Sequence, residues 1–115
     1  VLSDRFTGST MAYQGYGRGL DRELITDLER IATRGLSPDM TVWLDIPLAL
    51  SVQRRGSREE DRIEAEGVAF LERVSKGFSD MAKARGWVSV VADRPLLEVA
   101  EAIQTALLSR AAVWR

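Results

Sequence analysis

An aspartate and an arginine stand side by side at Asp4-Arg5, and hydroxyl, phenol and amide groups follow at Ser9, Thr10, Tyr13 and Gln14. A carboxylate beside a guanidinium suits a metal-phosphate site. The planar fork binds phosphate oxygens in pairs, and the carboxylate faces a divalent cation or its waters. The plainer alternative is a local ion pair closing a strand end, and for an isolated Asp-Arg it is the commoner one. Tyr13 taken alone is a packing aromatic. A second group of cations, Arg54, Arg55, Arg58 and Arg62, lies in the charged run from Gln53 to Glu64. Such a run is usually a solvated face. A third group, Asp93-Arg94-Pro95, is by itself a sensible helix start. Asp45 closes an apolar run, either as a support for a metal-bound water or as a satisfied structural carboxylate.

The absences narrow the chemistry further. There is no histidine and no cysteine, so a Ser-His-Asp triad, an imidazole base, a thiolate nucleophile, a disulfide and a cysteine zinc site are all excluded. Lys76 and Lys83 are the two lysines among 16 basic residues, which leaves 14 arginines. Arginine enrichment suits phosphate oxygens, and arginine-rich codon usage explains it equally well. With 17 acidic residues the net charge is −1, so no overall basic field recruits nucleic acid or an anionic membrane. No stretch approaches the roughly 20 apolar residues that span a bilayer. The expected compartment is the cytoplasm.

Strands alternating with helices must position these groups. Val1–Ser3 is expected to be the tail of a strand, and Ser9–Gln14 a helical turn stopped at Gly15 and Gly17. Asp21 is an N-cap for a helix in which Leu24, Ile25, Leu28, Ile31 and Ala32 recur at helical spacing, ended by Gly35. Thr41–Ile46 is a buried parallel strand ended by Pro47, and Leu48 to about Arg55 a short helix. From about Glu66 to Arg85 an amphipathic helix turns Phe70, Leu71, Val74, Phe78, Met81 and Ala82 to one side. Trp87–Ala92 is a second strand, and the last helix is expected to point Leu97, Ala100, Ile103 and Leu107 inward. This pattern implies an α/β fold with a parallel sheet covered by helices. About three strands are visible where such a sheet has about five.

The run Asp4-Arg5-Phe6-Thr7-Gly8-Ser9-Thr10-Met11-Ala12-Tyr13-Gln14-Gly15-Tyr16-Gly17-Arg18-Gly19 resembles the Asp-Arg-aromatic, Ser-x-x-Ala-Tyr-Gln-Gly, Gly-Arg-Gly signature of thymidylate kinases. Phe6 departs mildly from the commoner tyrosine or histidine. The resemblance extends over the whole chain, and Gln53–Glu64, ending in Asp61-Arg62-Ile63-Glu64, is similar to the arginine-rich lid of the bacterial enzymes. It implies a three-layer α/β/α P-loop NTPase fold with its N-terminal part missing. The chain would be the C-terminal part of a domain whose lid lies at about residues 53–64.

The resemblance also implies site roles. Arg5 contacts the acceptor phosphate and Asp4 lies near Mg2+. Ser9, Thr10, Tyr13 and Gln14 face the thymidine, with Tyr13 crowding out a ribose 2′-hydroxyl. Arg54, Arg55 and Arg58 close over the ATP phosphates, Arg55 being nearest the usual position, and Arg62 braces the lid. Asp93 and Arg94 lie near the adenine. The activity implied is transfer of the ATP γ-phosphoryl to dTMP, by a homodimer formed through the helix near Asp21 to Arg34.

The sequence contains no Gly-x-x-x-x-Gly-Lys-Ser/Thr loop, the usual cradle for ATP phosphates. The chain is therefore expected to be a fragment that is inactive alone. The alternatives are a non-catalytic piece that needs a P-loop partner chain, and a related kinase acting on another nucleoside or nucleotide.

Overall fold

In the computed structural model, residues 1–112 are described, apart from the side chains of Val52 and of residues 54–66. A short helix, α1 (Thr7–Thr10), runs directly into a π-helical segment, Met11–Gly17. Helix α2 (Arg22–Thr33) begins at Asp21, whose carboxylate accepts the Glu23 amide at 3.0 Å. It ends where Arg34 and Gly35 both turn left-handed (φ 57° and 79°) and the Gly35 amide donates to the Arg30 carbonyl at 3.0 Å. That start and stop are the expected ones, since a side-chain acceptor and a positive-φ exit satisfy backbone groups that the helix leaves open.

Strands β1 (Val42–Asp45) and β2 (Val88–Val91) pair in parallel, Val42 opposite Val88 and Asp45 opposite Val91. The pairing continues one step on each side, through Val88 to Thr41 and Ala92 to Asp45 backbone bonds of 2.9 and 2.8 Å. The crossover between them is helix α3 (Leu48–Arg85), and α4 (Leu96–Ala111) follows β2. The expected α/β class with a parallel sheet is therefore observed. The sheet has two strands among the described residues. Val1–Ser3 takes no strand pairing, and Val1 and Leu2 are fully exposed. A strand exists only where a neighbour completes its hydrogen bonds, and none of the described residues does so here.

Three further expectations change. Helix α3 is one element, where a short and a long helix separated by a charged run were anticipated. Arginine and glutamate are good helix formers, so a dense charge run without proline does not stop a helix. Gly67, close to the expected start of the long helix, takes φ 82° within it. Gly15 and Gly17 do not stop a turn; both are buried inside the π segment. On α4 the buried residue is Val99, with Ala102, Ile103 and Ala106 half-buried, whereas Leu97, Ala100 and Leu107 are exposed. The helix meets the rest of the molecule at β2, where Val90 is buried, and this contact selects the face centred on Val99.

The core lies between the π segment and α3. Met11, Ala12, Phe70, Leu71, Val74 and Met81 are buried there with Ile25 of α2, and Tyr13, Tyr16, Phe78 and Trp87 pack around them. The inward face expected for residues 70–82 is thus the observed one. Among the described residues, no helix is long and apolar enough to cross a membrane.

Candidate active site

Asp4 and Arg5 form an exposed bend just ahead of α1. Arg5 takes φ 64°, a conformation uncommon for a non-glycine residue, and the Ser3 hydroxyl donates to its carbonyl at 3.0 Å. Such a backbone costs on the order of 1 kcal/mol and persists only where the surroundings impose it. The turn brings the Arg5 guanidinium over the Tyr13 ring, 6.0 Å from its centroid. Two of the residues singled out from sequence are thereby brought together.

Tyr13 is half-buried, tilted against Phe70 at 6.2 Å and edge-on to Phe78 at 6.3 Å. The packing role and the ligand-facing role are therefore compatible: one part of the ring is wedged against α3 and Arg5 approaches it. Ser9 and Gln14 are half-buried and Thr10 is exposed. The base of α1 is set by Trp87, whose indole Cη2 lies 2.7 Å from where a Cβ on Gly8 would stand.

The π segment itself was not legible from sequence. Its amides bond at π-type spacing, Arg18 to the Tyr13 carbonyl at 3.0 Å, and Leu20 reaches the Gln14 carbonyl at 3.0 Å. A π-helical turn widens the helix and is frequent at functional sites. Its contacts with α3 are close: a Cβ on Gly17 would meet Phe70 Cε2 at 2.6 Å, and one on Gly77 would meet Tyr16 Cγ at 2.6 Å. Arg73 Nε donates to the Gly17 carbonyl at 2.9 Å. Neither Arg73 nor Gly77 carried a functional signal in the sequence.

At the carboxyl edge of the sheet, Asp45 is half-buried and Asp93 and Arg94 are exposed two and three residues beyond β2. Arg94 Nε donates to the Val91 carbonyl at 2.9 Å, so in this structure it ties the turn to the strand end. Arg54, Arg55 and Arg58, the lid candidates, lie outside the described side chains. Depressions of about 380 and 460 Å³ run along α2 and its junction with the π segment. Neither is lined by Asp4, Arg5, Ser9, Thr10 or Tyr13. Among the described residues, the carboxyl of Glu29 of α2 is held above its ordinary value by burial and pulled back less strongly by Arg85. Its Oε1 is buried without a hydrogen-bond partner among the described residues.

Residues 1–103 match the family model for thymidylate kinase. The chain belongs to the thymidylate kinase family. It is 92% identical over all 115 residues to a thymidylate kinase of Synechococcus sp. (strain CC9311), covering 54% of that protein. It is 62% identical to that of Synechococcus sp. (strain WH7803), again covering 54%, and 57% identical over 110 residues to that of Parasynechococcus marenigrum (strain WH8102). The chain spans about half the length of these curated relatives. The thymidylate kinase signature occupies the Asp4–Gly19 stretch that forms the bend, α1 and the π segment.

Proposed function

We propose that the chain is the acceptor-site and lid portion of an enzyme that transfers the γ-phosphoryl of ATP to dTMP. A dTMP phosphate oxygen forms the new bond to the γ-phosphorus, the bond to the β-phosphate oxygen breaks, and dTDP and ADP leave. The observation that carries this reading is the thymidylate kinase signature folded so that Arg5 and Tyr13 converge. Arg5 orients the acceptor phosphate through its fork. Tyr13 stands on Phe70 and Phe78 as a fixed wall against the sugar, and Ser9, Thr10 and Gln14 offer polar tips to the base. Arg54, Arg55 and Arg58 neutralise charge spreading over the transferring oxygens, and Asp93 and Arg94 border the adenine. Catalysis of this kind works by positioning and charge neutralisation, with no covalent intermediate.

Among the described residues, no group of three acidic side chains gathers to hold a metal ion. The lone carboxylate of Asp4 suits Mg2+, which keeps several waters and takes other ligands from substrate phosphates. When bound, that ion neutralises phosphate charge.

The 115-residue chain contains no P-loop sequence, so its own turnover is expected to be absent. Coupled ADP release with dTMP and Mg-ATP tests both statements. Turnover is expected from the chain joined to an upstream half of the relatives' kind, and none from the chain alone. Turnover by the pure chain overturns the second statement, and a folded, inactive long form overturns the first.

The partner is a second copy of the enzyme, in the cytoplasm. Support comes from α2, where Leu24, Leu28 and Ile31 are 55%, 57% and 74% exposed on one face, continued by Leu20 at 54%. Such a stripe marks an interaction surface. The long form is expected to sediment as a dimer and its Leu28→Asp variant as a monomer; a monomeric parent refutes the assignment.

A further inference from the structure

We propose that Arg73, on α3, is a positioning residue that sets dTMP affinity by holding the π segment in register. This rests on the function proposed above. The π segment interrupts the i to i−4 ladder, so its backbone geometry is less self-sustaining than that of an α-helix. The residues assigned to the nucleoside, Tyr13 and Gln14, lie in that segment, and the Gly17 carbonyl closes it. Arg73 Nε reaches this carbonyl across 56 residues of chain at 2.9 Å. The donor is charged, and a charge-assisted hydrogen bond is about twice as strong as a neutral one. A cation at the carbonyl end of a helix is also favoured by the helix dipole.

The surroundings fix both ends of this bond. Phe70 and Val74, one turn before Arg73 and one residue after it, occupy the space where Gly17 has no Cβ. The Phe70 ring carries the Arg73 guanidinium at 5.9 Å on its centroid and also packs against Tyr13. The same stripe of α3 therefore grips the wall residue Tyr13 and the end of the segment that presents it. Arg73 acts through the Gly17 carbonyl.

The test compares wild type, Arg73→Met and Arg73→Lys in the long form, by amide hydrogen exchange without ligand and by steady-state kinetics. Arg73→Met keeps the aliphatic stem and removes the donor. The expected result is faster exchange at the Arg18, Gly19 and Leu20 amides. The KM for dTMP should rise about ten-fold or more, the size of one lost charged hydrogen bond. The KM for ATP should not change, and Arg73→Lys should restore part of the dTMP affinity. Should Arg73→Met fail to fold, Arg73→Gln enters the same comparison. Unchanged exchange in a folded variant, or equal rises in both KM values, overturns the proposal. A wild type that exchanges slowly at these amides but does not phosphorylate dTMP overturns the functional reading instead, and the exchange comparison then decides the positioning role by itself.

Discussion

Replacing Arg5 with alanine in the long form is expected to lower kcat/KM for dTMP phosphorylation by about 10²- to 10³-fold, the usual cost of one preorganised charge at a reacting group. Two lesser effects of the same change can be separated from it. The guanidinium leaves the Tyr13 ring, 6.0 Å away and on the surface, an interaction worth about 0.5–1 kcal/mol or up to roughly five-fold. The left-handed backbone at φ 64° is no easier for alanine, so its strain stays. Glycine adopts that conformation freely. Arg5→Gly is therefore expected to match Arg5→Ala in lost activity while unfolding at a higher denaturant concentration than Arg5→Ala. Arg5→Lys should recover part of the rate, since a single ammonium replaces the charge but not the two-point fork. Steady-state kinetics with urea unfolding on the same samples checks each step. A loss below about five-fold in Arg5→Ala could be assigned to the ring contact alone, and Arg5 would then have no place at the acceptor phosphate.

The parts of the fold legible in sequence are those governed by local chemistry. Asp21 and Gly35 announce the ends of α2 because caps need only neighbouring backbone, and both ends form as expected. Phe70, Leu71, Val74, Met81 and Ala82 announce the buried face of α3 because one long stripe leaves little choice of side. On α4 there is a choice. Leucines at 96, 97, 107 and 108 outweigh Ala102 and Ala106 in any hydrophobic count, yet they are exposed while the alanine face sits inward. What decides is the shape β2 offers around Val90, which no pattern inside α4 contains. The same holds for the candidate site. Asp4, Arg5 and Tyr13 stand out only through the resemblance of their stretch to the thymidylate kinase signature. Gly15 and Gly17, in contrast, have two possible uses, as chain breakers or as places of close approach. Phe70 and Val74, more than 50 residues on, select the second for Gly17, and Met11, Arg22 and Ile25 select it for Gly15. Arg73 looks like any solvated helix arginine until its partner carbonyl is known.

That distant pairing gives the second large effect, a substitution whose sign depends on a residue 61 positions earlier in the chain. Gly77 lies within α3, where alanine is ordinarily the better residue by about 0.5–1 kcal/mol. Here a Cβ would stand 2.6 Å from Tyr16 Cγ and 2.8 Å from Tyr16 Cβ. These atoms are the root of the side chain, so a rotamer change cannot move both away, and the π segment itself must shift. Overpacking of this kind costs about 1–3 kcal/mol, which exceeds the helix gain, so Gly77→Ala is expected to be net destabilising. Tyr16 also carries Arg22, whose guanidinium lies 4.5 Å from the ring centroid, so a shift of the ring disturbs that contact too. Tyr16→Gly removes the ring and the Cβ, and with them the three atoms that approach position 77. In that background the clash is gone and only the helix term remains, so adding Gly77→Ala should stabilise by about 0.5–1 kcal/mol. Urea unfolding of the four members of this double-mutant cycle measures the coupling. A Gly77→Ala change that stabilises both backgrounds equally would mean that Tyr16 does not rest on α3 at Gly77, and the packing of the π segment described here would have to be redrawn.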